Sequence, residues 1–131
     1  IVCGGKSPTR PGYFFEPTVL TQTTPEMTPV KNEIFGPVLC VHRFGDDHLD
    51  QVAREANSTI YGLSGSVWTR DLGIAMQMVR KIDSGQVSVN MHAALDPAMP
   101  FGGNKQSGWG REFGKEGLEP YLKTKGISMT W

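Results

Sequence analysis

The chain has 131 residues, enough for one domain with a core, and its 13 basic and 13 acidic side chains balance to zero net charge. That balance excludes a domain that holds nucleic acid through a basic excess, and an apolar fraction of 38% arranged in repeated aliphatic runs excludes a disordered chain. No apolar run reaches the roughly 18 residues of a membrane helix, and two cysteines, Cys3 and Cys40, are too few for a disulfide framework. Two free thiols in a reducing compartment is the simpler reading, with a single disulfide as the other.

The first residues, Ile-Val-Cys-Gly-Gly, read as the end of a strand entering a turn, and the absence of an opening methionine points to a piece of something longer. Ser7 to Gly12 is a turn cluster set by Pro8 and Pro11. Phe14 to Leu20 is expected as a short edge strand, interrupted at Pro17. Thr24 to Met27 can open a helical turn that Pro29 ends. Glu33-Ile34-Phe35-Gly36-Pro37 forms the next turn, leading into a strand from Val38 to Phe44 expected to be covered on both faces.

Asp46 or Asp47 is placed to cap a helix reaching about Asn57, with Leu49, Val52, Ala53 and Ala56 on one stripe. A strand follows from Leu63 to Trp68. Asp71 caps a second helix with Leu72, Ala75, Met76, Val79 and Ile82 as its buried stripe, and Gln86 to Asn90 makes another strand. Strand, helix, strand, helix, strand in this order implies an α/β fold with a mostly parallel sheet. Beyond it, Glu112 to Leu122 supports only a short helix. Thr124 to Trp131 alternates, with Ile127, Met129 and Trp131 on one side, as a strand that pairs away from the parallel core or with another subunit.

Pro100 to Glu112 is the least ordinary segment. Gly102, Gly103, Gly108 and Gly110 are interleaved with Phe101, Trp109, Lys105 and Arg111, a composition that fits neither an amphipathic helix nor an alternating strand. It lacks the lysine–hydroxyl pair of a phosphate loop, so a structural crossover loop weighs at least as much as a ligand cradle. Lys105 and Arg111 fit either an anion or hydrogen bonds to backbone carbonyls that tie the loop down. Cys40 and His42 share a strand face, but no four-ligand metal pattern accompanies them. Cys40 sits in an apolar run and Cys3 at the chain start, and neither has the surroundings of an activated nucleophile. Glu33 stands on a rigid turn, where a carboxylate can accept two hydroxyls of a ribose diol while Phe35 offers a flat face. The other reading of the same residues is an exposed glutamate beside a core phenylalanine.

Taken in order, these segments resemble the C-terminal part of the NAD(P)-dependent aldehyde dehydrogenase superfamily. The resemblance runs through Gly12 to Leu20, Glu33 to Val38, Ala56-Asn57, Tyr61-Gly62-Leu63, Trp68 to Asp71, Gly85 to Asn90, Pro100 to Glu112 and Thr124-Lys125. It implies a portion of a three-layer αβα catalytic domain over residues 1–111, and a tail with an oligomerisation strand over residues 112–131. The implied activity is oxidation of an aldehyde to a carboxylic acid. A cysteine attacks the carbonyl, a hydride passes to NAD (NADP being the alternative), and a glutamate-activated water hydrolyses the thioester.

By the same resemblance Glu33 binds the nicotinamide ribose and Phe35 packs beside it, while Leu95 and Phe101 line the aldehyde channel. The nucleophilic cysteine, the general base and the dinucleotide-binding domain all precede the region resembled, so the isolated chain is expected to be inactive, with no catalytic residue or metal ligand of its own. The implied partners are an aldehyde and further copies in a homodimer or homotetramer, without nucleic acid or membrane. The implied compartment is the cytoplasm, with an organellar matrix as the alternative. Leu95-Asp96-Pro97-Ala98-Met99-Pro100 resembles the phenylacetaldehyde dehydrogenase branch. Two other readings stand beside this one: an acylating semialdehyde dehydrogenase, and a non-catalytic interaction module that reuses part of the fold.

Overall fold

The computed structural model describes residues 1–45, 47–92 and 94–131. The chain divides into two compact units, Ile1–Ile60 and Tyr61–Trp131. Each is a small α/β body built on a parallel pair of strands.

In the first unit, β1 (Thr18–Leu20) pairs in parallel with β2 (Val38–Cys40), with Thr18 opposite Val38 and Leu20 opposite Cys40. Pro17 has no N–H, so the ladder begins one residue later, where the Thr18 amide donates to the Pro37 carbonyl at 2.8 Å. The expected edge strand is therefore shorter than Phe14 to Leu20. Nor is it an edge: the Val2 amide donates to the Val19 carbonyl at 2.8 Å, and Cys3 bridges Val19 on the other flank.

Between the strands lies α1 (Thr28–Lys31), which Pro29 helps to start rather than end. A proline in the first turn gives up an N–H that would have no intrahelical partner there. β2 stops at Cys40 and Leu39 is exposed, so this chain does not cover the strand on both faces.

α2 (Leu49–Ala56) follows, with Ala53 as its buried point and Leu49 and Val52 half-buried, while Ala56 is exposed. Its N-cap position is His48, which makes no side-chain capping bond; Asp47 instead sits 3.6 Å from the His48 ring. Asp46, the other expected cap, lies outside the described residues.

The second unit is a strand–helix–strand unit, β3 (Ser64–Val67), α3 (Leu72–Lys81) and β4 (Gln86–Val89), with β3 and β4 parallel and Ser66 opposite Ser88. Asp71 caps α3 as expected, its Oδ1 accepting from the Ile74 amide at 2.9 Å. Arg80 and Lys81 occupy the last turn, where cations complement the helix dipole.

The buried face of α3 differs from the expected stripe. Of that stripe Ala75 is buried and Val79 and Ile82 are half-buried, whereas Leu72 is 76% exposed and Met76 43% exposed, and Met78, outside the stripe, is buried. The helix is apolar around a wide arc, so periodicity alone permits more than one face. Across β3 and β4, Gly65 lies against Ile82 at the end of α3. Ser66 and Gln86 hydrogen-bond to His92 and Ala94, so the chain after β4 turns back over the sheet.

The expected mostly parallel sheet is parallel in both of its strand pairs, which form two two-stranded sheets, one in each unit. The tail differs too. Its expected short helix is a 3-10 turn at Glu116–Tyr121, with Pro120 inside it and Gly114 at φ 57° before it. Residues 122–131 form neither helix nor strand, and all of them are exposed. A strand requires a ladder partner, and none of the described strands supplies one. The core is thin: Ala53, Ala75 and Met78 are the buried apolar residues among those described.

Candidate functional site

Four residues carry the expected site, two in each unit. In the first unit, Glu33 and Phe35 lie on the connection from α1 to β2. α1 is closed by Asn32, whose backbone amide and side-chain amide both donate to the Thr28 carbonyl, at 3.0 and 3.3 Å. Two consecutive three-residue turns then bring the chain into β2, Gly36 amide to Ile34 carbonyl at 2.9 Å and Val38 amide to Gly36 carbonyl at 2.8 Å. The backbone is fixed, and the side chains are free. Phe35 is 94% exposed, so it is no core phenylalanine in this chain. Glu33 is exposed as well, and its carboxylate meets no donor among the described residues. Both of its oxygens are open to hydroxyl donors from outside the chain.

In the second unit, Leu95 and Phe101 bracket one loop. The Gln86 side-chain amide donates to the Ala94 carbonyl at 2.7 Å. Asp96 then folds a turn by accepting the Ala98 amide on its side chain and the Met99 amide on its backbone, each at 2.9 Å. Leu95 itself is exposed. Phe101 is half-buried, bridged to Glu112 by a reciprocal pair of backbone hydrogen bonds of 2.7 Å. Its ring lies 6.5 Å from the ring of Phe113, tilted by 38°.

The glycine-dense segment between Phe101 and Glu112 makes the contacts of a structural crossover. The Gly62 carbonyl accepts from both Gly85 and Asn104, and the Gly62 amide donates to the Ser107 hydroxyl at 2.9 Å. Gly85 packs so closely on the Gly102 carbonyl that a Cβ would overlap it. Arg111 donates to the carbonyls of Gly103 and Gly110 at 3.0 and 2.8 Å and to the Asn104 side chain at 2.7 Å. Asn104 reaches on to Asp83 at 3.0 Å, and Lys105 pairs with Asp83 at 3.8 Å. Arg111 is thus committed to tying the loop down.

The sequence reading overlooked two further ties. Asn90 has φ 55°, and its side chain both accepts from and donates to the backbone of Thr69 at 2.9 Å, clamping the ends of β3 and β4. Ser66 and His92 share a hydrogen bond of 2.8 Å. An asparagine directly after a strand was the one available signal for the first, because asparagine is enriched in left-handed backbone.

The remaining candidates take ordinary roles. Both cysteines are free. Cys40 donates to the Pro29 carbonyl at 3.4 Å and exposed Cys3 to the Pro17 carbonyl at 3.8 Å. His42 lies 3.2 Å from Glu55 on α2. Among the described residues no three His, Cys, Asp or Glu side chains cluster as metal ligands, and no helix is long and apolar enough to cross a membrane.

The family model for the aldehyde dehydrogenase family matches residues 1–127. Cytosolic 10-formyltetrahydrofolate dehydrogenase of Xenopus tropicalis is 44% identical over 131 residues, all of this chain and 14% of that protein. Aldehyde dehydrogenase 1 of Tanacetum cinerariifolium is 47% identical over 128 residues, 98% of this chain and 25% of that protein. Among solved structures, NAD-dependent aldehyde dehydrogenase from Sinorhizobium meliloti superposes with a TM-score of 0.91 at 39% identity, covering 98% of this chain and 25% of that one. Betaine aldehyde dehydrogenase from Staphylococcus aureus in complex with NAD+ gives 0.88 at 44%, covering 95% and 25%. The chain spans a quarter or less of the length of these relatives, and the match in order, fold and residues extends over nearly all of it: the chain belongs to the aldehyde dehydrogenase family.

Proposed function

We propose that this chain forms the cofactor-facing and channel-lining C-terminal portion of an enzyme that oxidises an aldehyde to a carboxylic acid with NAD, NADP being the alternative. The observation that carries the reading is the Glu33–Pro37 turn, a rigid backbone that holds out an unpartnered carboxylate and an open aromatic face. Glu33 accepts the two ribose hydroxyls next to the nicotinamide, and Phe35 packs beside the same sugar. Together they orient the ring at a fixed height over the substrate, so that geometry rather than new chemistry is their contribution. The cofactor, when bound, supplies the hydride acceptor. Relatives in complex with NAD+ support this assignment.

Leu95 and Phe101 form part of the aldehyde channel. With Met99 they present an apolar wall without a basic side chain, which favours an uncharged aromatic or medium-chain aldehyde, as in the phenylacetaldehyde branch. The nucleophilic cysteine and the general base come from residues outside this chain, as Cys3 and Cys40 donate to backbone carbonyls and meet no base among the described residues. Residues 1–111 then belong to a three-layer catalytic domain. The tail, residues 112–131, presents Ile127, Met129 and Trp131 to a second copy in a dimer or tetramer. The compartment is the cytoplasm or an organellar matrix, in line with relatives named for the cytosol and the mitochondrion.

One assay with two arms tests this. The full-length enzyme should oxidise phenylacetaldehyde with reduction of NAD in preference to succinic semialdehyde, and residues 1–131 alone should show no turnover. Turnover by the isolated chain would refute the division of labour, and preference for the carboxylated aldehyde would refute the channel assignment.

A further inference from the structure

The carboxyl ends of β1 and β2 open on a cleft of about 610 Å³ inside the first unit. Ligands of parallel sheets bind beyond the carboxyl ends of the strands, and a cleft of this volume lies within the roughly 300–1,000 Å³ of small-molecule sites. Its polar side is cationic and rich in hydroxyls. Arg43 lines it with a guanidinium that meets no acceptor among the described residues. Thr21 and Thr23 face it from the turn after β1, where Gln22 takes φ 56°.

Thr23 is the telling residue. It is only 9% exposed, yet its hydroxyl has no partner among the described residues. No fully enclosed side-chain nitrogen or oxygen among those residues is left unpaired, so the Thr23 oxygen is not fully enclosed, on a residue that lines the cleft. Glu55, the carboxylate that meets the cleft residue His42, is already engaged: one oxygen lies 3.2 Å from His42 and the other accepts from Gln51 at 2.7 Å. The apolar part of the lining is Val2 and Val41.

We infer that this cleft is an anion site for a small phosphomonoester, separate from the Glu33 turn. The phosphate sits between the Arg43 guanidinium and the hydroxyls of Thr21 and Thr23, and the organic group lies against Val2 and Val41. A guanidinium fork with neighbouring hydroxyl donors matches the several acceptor oxygens of a phosphate. The inference rests on this cleft alone and holds for any reaction performed elsewhere in the enzyme.

The test is a titration of the protein at its full natural length with inorganic phosphate and with phenyl phosphate, followed by calorimetry and by the Thr methyl resonances. Saturable binding is expected, tighter for phenyl phosphate, with the Thr23 methyl shifting on binding. Arg43→Gln should weaken binding tenfold or more, as for the loss of a charge-assisted hydrogen bond, and the near-isosteric Thr23→Val by about fivefold. Thr23→Val keeps the question open to test even where the arginine variant folds poorly. Absence of saturable binding for both probes, or affinities that both substitutions leave unchanged, would overturn the site.

Discussion

The glycine loop and the Glu33–Pro37 turn are both irregular, and each holds out an exposed aromatic, Trp109 and Phe35, yet they spend their polar side chains in opposite directions. In the loop nearly every polar group turns inward: Arg111 holds two carbonyls and Asn104, Asn104 holds Asp83, and Ser107 holds Gly62. In the turn the backbone is closed by two tight hydrogen bonds, while Glu33 and Phe35 reach no partner among the described residues. A segment whose side chains satisfy one another serves the fold. A segment that fixes its backbone and leaves its side chains unsatisfied is shaped for something that is not part of the chain.

The sharpest way to break this contrast is Gly85→Ala, which sets a methyl group onto the Gly102 carbonyl. Forced overpacking of this kind costs about 3 kcal/mol, and chemical denaturation of the full-length enzyme should show it. An unchanged midpoint would mean that the loop is not seated on Gly85. Arg111→Ala should cost about 2 kcal/mol by the same measurement, and Arg111→Lys should recover little, because one ammonium cannot reproduce the guanidinium fork.

Glu33→Gln should do the reverse of both. Stability stays within about 0.5 kcal/mol, as for an exposed residue without partners. Turnover with NAD, however, falls by an order of magnitude or more, corresponding to about 1.5–3 kcal/mol for a hydrogen bond to a charged group. Loss of stability without loss of turnover would place Glu33 with the loop residues instead.

The smallest effect belongs to Glu26, just before α1. The Thr24 side chain first, then a backbone amide and Lys31, hold its carboxyl below the usual value. A lowered carboxyl favours the folded state above its unfolded pKa and loses that contribution as pH falls through the folded value. Wild type should therefore lose slightly more stability than Glu26→Gln on acidification below the ordinary carboxylate range, as followed by thermal melting. Identical acid profiles would remove the effect.

Much of this was legible in advance where one residue type has one physical use. Asp71 before an apolar helix can satisfy the first-turn amides, and it does. The errors arose where a residue has two uses. Pro29 ends one helix as readily as it starts the next, and the register decides. The apolar arc of α3 is wide enough that Leu72 and Met76 were chosen for a face that belongs to Ala75 and Met78. The tail is a different case: alternation specifies a face and not a ladder partner, and the expected pairing with another subunit involves a surface outside this chain. At the candidate site, Glu33, Phe35, Leu95 and Phe101 are nominated by the resemblance in the order of motifs. The free hydroxyl of Thr23 left no trace in the sequence, because it depends on what surrounds it.

Amide hydrogen exchange in the full-length enzyme, with and without saturating NAD+, addresses the contrast most directly. The account requires that the amides of residues 33–35, which donate no backbone hydrogen bond among the described residues, exchange readily in the free enzyme and become protected on binding, while Phe101, Asn104 and Glu112 are protected in both states by bonds made within the chain. Equal exchange at residues 33–35 in the two states would contradict it.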